Sequence, residues 1–285
     1  MNKSQKKNHV HSKWLKTRVL LSDARLRALV PETRRLNEGS LKSMLRRYRM
    51  VYIKPVSGTY GNGVMKVEQR SESGRPSYSC HYLEKKRLFR SFPALYASIV
   101  RYKWNSPYLV QKGIRLLTHR GRAFDIRVMV QKNSRNRWET TGIIGRVASR
   151  GKIVTNYHSG GKPIDAQTLL KPYLSTESLH RFNTTLALVG AKAAETLGKA
   201  FPGVNMVGAD IGIDSHFHPW IIELNTKPDP YIFKHLKDKS VYCKVLRYAK
   251  ALRRVPSTNR RRILKNTLNR KRRRVSSRTD ASRNV

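Results

Sequence analysis

Apolar and polar positions repeat with two different periods along the chain, and together these periods predict strands and helices. An apolar run at 50–53 and a strand-like run at 64–67, interrupted only by Lys66, lie on either side of a glycine-rich segment, which predicts a β-hairpin with a glycine-rich loop. Residues 124–130 alternate with a period of two, so Asp125 and Arg127 are expected on the same face of a sheet.

Longer segments show the helical period. Apolar residues recur at three- and four-residue spacing over 36–48 and over 175–197, and the second stretch predicts a long amphipathic helix. Residues 108–111 predict a short strand, and 207–213 with 217–222 predict a strand pair. Many strands, few helices and a mixture of hairpins and crossovers favour an α+β fold with open mixed or antiparallel sheets.

The composition indicates a folded and strongly cationic protein. Of 285 residues, 39% are hydrophobic, which is enough for one large domain or two small lobes. The 60 Lys and Arg residues against 17 Asp and Glu residues give a net charge of +43, which favours a polyanionic partner or setting. Two cysteines are too few for a disulfide scaffold. No apolar stretch reaches the roughly 20 residues that span a bilayer, so we expect no transmembrane helix and a cytoplasmic location.

The basic residues are densest at the two ends of the chain. Residues 251–285 contain 13 basic residues and one acidic residue, and they lack the apolar content that would order them, so a disordered basic tail is expected. Residues 1–30 are expected to be a second basic extension. Such a tail can bind nucleic acid through phosphate contacts, or it can be a solvated segment that lies on anionic surfaces in general. The sequence leaves both alternatives open.

The segment after the first predicted strand has the composition of a phosphate-binding loop. Lys54 ends the strand, and Gly58, Gly61 and Gly63 follow it. Glycines let the backbone approach a phosphate closely, and a lysine can neutralise its charge. The spacing differs from the known phosphate-loop patterns, however, so the loop alone favours an ordinary hairpin connection.

Asp210, Glu223 and Asn225 follow apolar runs in the predicted strand pair. If the two strands are neighbours, these side chains converge at one end and offer the hard oxygen ligands that Mg²⁺ takes together with phosphate oxygens. The alternative is a set of surface carboxylates that balance a basic sheet. We favour the metal site, because the chain has few acidic residues.

A third set consists of cations that would border the same cleft, namely Arg127, Arg146 and Lys227. Arginine suits bidentate contact with phosphate or carboxylate oxygens. In so basic a chain, only their coincidence with the other two sets gives them weight.

The order of these parts resembles the ATP-grasp superfamily. Within it, Pro31-Glu32-Thr33, the run Gly142 to Arg146 and residues 156–161 are similar to the YheC/YheD group, described as endospore coat-associated proteins. The resemblance covers roughly 30–247. It implies two lobes that clasp a nucleotide cleft, with the first lobe at 31–112 and the second, carrying the metal site, at 113–250.

The resemblance also implies roles for individual residues. Lys54 would contact the nucleotide's phosphate and adenine region, and the three glycines would close over the phosphates. Arg127 and Arg146 would lie near the transferred phosphoryl group and the acceptor carboxylate, and Asn156 would lie near the magnesium site. Asp210, Glu223 and Asn225 would hold one or two magnesium ions, or manganese in their place, with Glu223 bridging. The hinge segment that reads the adenine edge would be Gln111, Lys112, Gly113 and Ile114.

The chemistry implied by the resemblance is an ATP- and Mg²⁺-dependent ligation of a carboxylate to an amine through an acylphosphate. The alternative is a non-catalytic binding or structural protein that its basic ends attach to nucleic acid or to an anionic spore polymer. Superfamily members usually have an α/β domain before the first lobe, whereas about 30 residues precede it here, which favours the alternative. The resemblance also implies a forespore or spore-coat association.

Overall fold

The computed structural model describes residues 9–72, 75–82 and 84–254, which form two lobes on two antiparallel sheets. The strands are β1 Thr33–Arg35, β2 Met50–Pro55, β3 Met65–Glu72, β4 Arg75–Tyr82, β5 Lys85–Phe89, β6 Tyr108–Lys112, β7 Thr118–His119, β8 Arg122–Lys132, β9 Trp138–Val147, β10 Lys162–Ile164, β11 Met206–Ile213 and β12 Pro219–Asn225. The helices are α1 Lys13–Leu21, α2 Ala24–Arg27, α3 Glu38–Tyr48, α4 Phe92–Tyr102, α5 Ala166–Leu170, α6 Thr176–Ala200 and α7 Lys239–Arg254, with 3₁₀ turns at Tyr157–Ser159 and Tyr231–His235.

The small lobe is a sheet in the order β1-β6-β2-β3-β4-β5, with α3 and α4 contributing to its core. Alternation along β2 buries Val51 and Ile53 in this core, whereas Tyr52 and Lys54 fall on the opposite face. Helix α3 begins at a capping box between Asn37 and Ser40. The sheet therefore has one helix-covered face and one face that is turned to the other lobe.

The large lobe is a sheet in the order β10-β9-β8-β11-β12, with β7 paired to β8. Alternate residues of β8 pack with α6 in the main core, where Gly190 of α6 lies so close to Val128 that a Cβ atom would come within 2.6 Å of its Cγ1. On the other face, α7 and a 3₁₀ turn cover Met129 through Phe233 and Val245. Asp125 and Arg127 share this second face with Met129, so the uncovered end of the face carries charged residues.

Residues 9–30, expected as a basic extension, are part of the large lobe. Val10, Leu20, Leu26 and Val30 are buried in its main core, and α1 contacts α6 and β12. At the other end of the chain, residues 251–254, expected in the disordered tail, continue α7. The rest of that tail lies outside the described residues.

Most of the predicted elements are confirmed. Strands β2 and β3 form the expected hairpin, α6 is the long amphipathic helix, and β11 pairs with β12. Between the described strands every pairing is antiparallel, so the mixed-sheet alternative is wrong. Strands β4 and β5 and helix α4 were not predicted. None of the helices in the described part of the chain is long and apolar enough to cross a membrane.

Candidate functional site

A cleft lies between the two sheets. Eleven of the residues singled out in the sequence line it: Lys54, Gly58, Gly61, Gln111, Lys112, Ile114, Arg146, Asn156, Asp210, Glu223 and Asn225. Four others, Gly63, Gly113, Arg127 and Lys227, are not among its lining residues. The fold thus brings the glycine-rich loop, the carboxylates and Arg146 to one place.

The register of the large-lobe sheet aligns the charged residues of the cleft. Asp210 on β11 stands opposite Arg127 on β8 and opposite Glu223 on β12, so the three side chains form one row across the sheet. Arg146 on β9 stands opposite Asp125 on β8 in the next row. A register shift between Asp210 and Ile211 inserts one extra residue into β12, which is the form of a β-bulge.

Asp210 is the centre of a buried ion network. Arg127 Nε donates to Asp210 Oδ1 at 2.5 Å, and Arg146 Nη2 lies 3.1 Å from the same oxygen. Arg146 also donates through Nε and Nη2 to the two carboxylate oxygens of Asp125, at 2.9 and 2.5 Å. Asp210 Oδ2 accepts a bond from Asn225 Nδ2 at 3.1 Å. Paired charges with several hydrogen bonds are the form in which charge can be buried in a protein.

The protonation states follow from this network. Burial by itself would raise the pKa of Asp210, but Arg127 and Arg146 outweigh it and hold the pKa below its usual value. For Arg146 burial opposes the charged form, yet Asp125 and Asp210 raise its pKa. The carboxylate of Asp210 and the guanidinium of Arg146 are therefore both charged at neutral pH.

Arg127 contacts Asp210 but does not itself line the cleft. Its side chain crosses β11 at Gly208, where a Cβ atom would lie 3.1 Å from Arg127 Cδ. A Cβ atom here would also come within 2.8 Å of Pro228 Cβ, so a larger residue would crowd both Pro228 and Arg127. Arg127 thus acts on the cleft through Asp210, whereas Arg146 lies at the cleft itself.

The predicted metal ligands supply two carboxylates and one amide. Within the described residues no group of three or more His, Cys, Asp or Glu side chains could hold a metal ion. Asp210 and Glu223 are neighbours across β11 and β12, and Glu223 is a partly exposed side chain that forms salt bridges with Lys13 at 3.5 Å and Lys16 at 3.9 Å. One or two carboxylates are enough to hold Mg²⁺ when phosphates and water supply its remaining ligands, so these residues suit a phosphate-bound magnesium ion.

Lys54 enters the cleft from the small lobe. Its ammonium group donates to Gln111 Oε1 at 2.6 Å, and Gln111 Nε2 donates to Thr33 Oγ1 at 3.1 Å. Burial lowers the pKa of Lys54 to about 8, although Glu223 opposes the shift. Gln111 therefore orients Lys54 with its side chain.

Backbone hydrogen bonds to neighbouring segments hold the predicted hinge segment in place. The N–H groups of Lys112 and Gly113 donate to the carbonyls of Glu32 and Met50, at 2.8 and 2.9 Å. The ammonium of Lys112 lies 4.2 Å from the centre of the Trp220 ring on the large lobe, a cation–π contact. These two N–H groups are engaged within the protein, and adenine recognition by this segment stays a prediction.

The glycine-rich loop reaches across to the large lobe. Gly61 has a φ of +75°, and a Cβ atom there would lie 3.1 Å from Val154. The Tyr60 ring lies 4.4 Å from that of His158, and the Ser159 hydroxyl donates to the Tyr60 carbonyl. Gly63 instead packs against Trp104 and Tyr108, outside the cleft. The loop and the segment after β9 thus close one side of the cleft.

Sequence reasoning gave no role to Lys13, Lys16 or Asp125. Asp125 was placed on the correct face by the period-two pattern, but its pairing with Arg146 depends on register. Lys13 and Lys16 resemble surface residues of a basic segment in the sequence. A hint was available in the apolar residues Val10, Leu20 and Leu26, which suit a packed helix.

We expect Asp210→Asn to lower the free energy of unfolding by about 3–5 kcal/mol, because it removes one partner of a buried ion network. The matched control is Glu177→Gln, since Glu177 also pairs with an arginine at 2.5 Å but on the exposed surface of α6. This control should cost at most about 1 kcal/mol. Urea denaturation of both variants measures the difference. Equal losses would show that the Asp210 network does not hold the sheet together.

Two solved structures of other proteins share this architecture. An N5-carboxyaminoimidazole synthase from Aspergillus clavatus, solved with ADP and 5-aminoimidazole ribonucleotide, is 13% identical with a TM-score of 0.52, over 89% of this chain and 54% of that one. The D-cycloserine synthetase DcsG is 13% identical with a TM-score of 0.51, over 83% of this chain and 69% of that one. At this identity the similarity shows the ATP-grasp fold.

Sequence comparison gives the family. The endospore coat-associated protein YheD of Bacillus subtilis (strain 168) is 25% identical over 231 residues, which cover 79% of this chain and 49% of YheD. The chain therefore spans about half the length of this curated relative. Residues 4–252 match the family described as YheC/D like ATP-grasp. With most of its length matched, the chain belongs to the YheC/D-like ATP-grasp family.

Proposed function

We propose that this protein is an ATP- and Mg²⁺-dependent ligase that joins a carboxylate to an amine. The observation that carries the proposal is the row of Arg127, Asp210 and Glu223 facing Lys54 across the cleft, with Arg146 beside it. Charged groups whose pKa values are shifted by burial and by one another, and that line a cleft, are typical of functional sites.

The charge balance of the cleft favours an anionic substrate. The ion network around Asp210 and the surroundings of Glu223 together contain five cationic side chains and three carboxylates. These are Lys13, Lys16, Lys54, Arg127 and Arg146 on one side and Asp125, Asp210 and Glu223 on the other. Lys112 also lines the cleft, and this excess of positive charge favours an anionic ligand such as a magnesium–ATP complex. In a partly buried cleft these charges act more strongly than they would in water.

Asp210, Glu223 and Asn225 would hold the magnesium ion together with the nucleotide's phosphates. A bound magnesium ion neutralises phosphate charge that would otherwise repel an attacking carboxylate. Asp210 already accepts bonds from Arg127 and Asn225, so its position is fixed before any ligand arrives. Such preorganisation lowers the cost of binding a charged group.

In the proposed reaction a carboxylate oxygen of the acceptor attacks the terminal phosphorus of ATP, and the bond from that phosphorus to the ADP oxygen breaks. The amine nitrogen of the second acceptor then attacks the acyl carbon, phosphate leaves, and the amine loses a proton. The protein supplies no covalent nucleophile. Arg146 would contact the transferred phosphoryl group or the acceptor carboxylate, Lys54 would contact the nucleotide, and Arg127 would position Asp210.

The alternative is a binding or structural protein that keeps the fold without the reaction. It is favoured by the net charge of +43, which exceeds what an ATP site needs, and by the similarity to a coat-associated protein. In this alternative the basic ends would attach the protein to nucleic acid or to an anionic spore polymer. The localisation would then be at the spore layers or in the forespore.

An ADP-release assay with pooled amino acids and peptides separates the two functions. The ligase predicts ADP release that depends on the acceptors and on Mg²⁺, and Lys54→Met should reduce it at least tenfold, about 1.4 kcal/mol in barrier. The matched control is Lys199→Met on the exposed surface of α6, which should keep full activity. Absence of release in every acceptor mixture, with ATP still bound, would favour the binding protein.

The affinity for magnesium–ATP should fall as the pH rises through about 8, because Lys54 must be protonated to bind phosphate and its pKa is about 8. We expect a dissociation constant roughly thirtyfold weaker near pH 9.5 than near pH 7. In Lys54→Arg the guanidinium stays charged, so the pH dependence should flatten. Calorimetric titrations of magnesium–ATP between pH 7 and about pH 9.5 measure this dependence. A dissociation constant of the wild type that does not change with pH would contradict the proposed contact between Lys54 and the nucleotide.

Removing residues 255–285 should weaken binding to a polyanion. The residues removed are rich in arginine, and each phosphate contact that is lost reduces the dependence of binding on salt. The measurement is the salt concentration that elutes each form from immobilised DNA and from immobilised polyglutamate. A truncated chain that elutes with the full chain from both supports would exclude the tail as the attachment site.

A further inference from the structure

Lys16 of α1 is a buried lysine with incomplete pairing. The residue is 5% exposed, and its one salt bridge within the described residues is to Glu223 at 3.9 Å, which is longer than a hydrogen bond. Burying an ammonium group is costly unless it is paired and hydrogen-bonded. Lys16 therefore has unused capacity to bind an anion.

The ammonium-bearing side chain of Lys16 lines a narrow cavity beside the main cleft. This cavity shares Lys13, Lys54, Gln111 and Glu223 with the cleft. Its remaining wall is largely apolar and includes Leu20, Val30, Leu109, Ile221 and Leu224. The cavity has room for about one water molecule, so an oxyanion would lie where it opens to the cleft. There it would contact the lysines and lose part of its water, which strengthens the attraction.

Lys13 stands at the boundary between the two cavities. Its ammonium group donates to the carbonyl of Gly58 in the glycine-rich loop at 2.7 Å and lies 3.5 Å from Glu223. Lys13 and Lys16 together carry one more positive charge than Glu223 carries negative charge. A single oxyanion would balance this group.

The segment that carries the two lysines is anchored to both lobes. The backbone N–H of Val10 donates to Thr226 Oγ1 at 2.9 Å on the large lobe, next to Asn225. The backbone N–H of Lys13 donates to the carbonyl of Val56 at 2.8 Å on the small lobe. The lysines are thus held in place at the edge of the cleft, as a binding site requires.

We propose that Lys13 and Lys16 form a subsite for one oxyanion, a carboxylate or a phosphate group, beside Glu223. The identification of that group with the acceptor carboxylate or with released phosphate rests on the proposed function, whereas the binding of an oxyanion does not. The N-terminal helix would then supply the acceptor side of the cleft.

The test is thermal unfolding without nucleotide, with sodium phosphate or sodium acetate compared with sodium chloride at equal ionic strength. Binding to the native state raises the unfolding midpoint with anion concentration, which yields a dissociation constant. Lys16→Met should weaken this constant at least tenfold, and methionine is an apolar side chain that suits the buried position. Lys13→Met is the second variant, in case Lys16→Met does not fold.

The matched control is Arg18→Met, which removes the same charge from an exposed position on the same helix and should respond like wild type. An acetate response that persists with Mg²⁺ and a non-hydrolysable ATP analogue supports an acceptor carboxylate. A response to phosphate alone supports released phosphate. Equal responses in wild type, Lys16→Met and Lys13→Met would overturn the subsite and indicate an adventitious ion only. Because no nucleotide is present in the first titration, failure of ATP binding cannot produce that result.

Discussion

The carboxylate of Asp210 is the group on which the arrangement of the cleft depends. It stands between Arg127 and Glu223 across three strands, accepts bonds from Arg127 and Asn225, and contacts Arg146, which Asp125 holds from the other side. The buried arginines and the carboxylates require one another, because each charge would be costly without its partners. The register of the sheet and the charge network therefore specify each other. Gly208 belongs to this arrangement, since it leaves the space through which Arg127 reaches Asp210.

The two lobes meet around this network through several polar contacts. Lys54 approaches from the small lobe and is oriented by Gln111, while the glycine-rich loop contacts the segment after β9. The N-terminal segment joins both lobes through Thr226 and Val56, and it brings Lys13 to Glu223. The cationic excess of the cleft is thus shared among both sheets and α1. An anionic ligand that contacts these groups would stabilise the closed arrangement of the lobes, because it would bind all three parts at once.

Much of the fold and several site residues could be predicted from the sequence, because local patterns carry that information. Apolar runs that end in Asp210 and Glu223 mark a strand pair, and the period of two puts Asp125 and Arg127 on one face. The alignment of Arg127 with Asp210 and Glu223 could not be predicted, since it depends on pairing between distant strands and on a register shift in β12. Strand β5 escaped prediction because it is an exposed edge strand with a charged sequence. The burial of Lys16 could not be predicted for a different reason. Nothing in the local sequence distinguishes this buried lysine from the other members of a set of 60 basic residues.

The most direct measurement is the affinity for magnesium–ATP of the wild type and of Glu223→Gln, by calorimetry at moderate salt. The substitution removes a negative charge and frees Lys13 and Lys16 from their salt bridges with this side chain. If the cleft attracts ATP by positive charge alone, the affinity should stay the same or increase. If Glu223 holds the magnesium ion, the affinity should fall about tenfold or more, which corresponds to about 1.4 kcal/mol. The proposed site predicts the fall, and an unchanged or tighter affinity would contradict it.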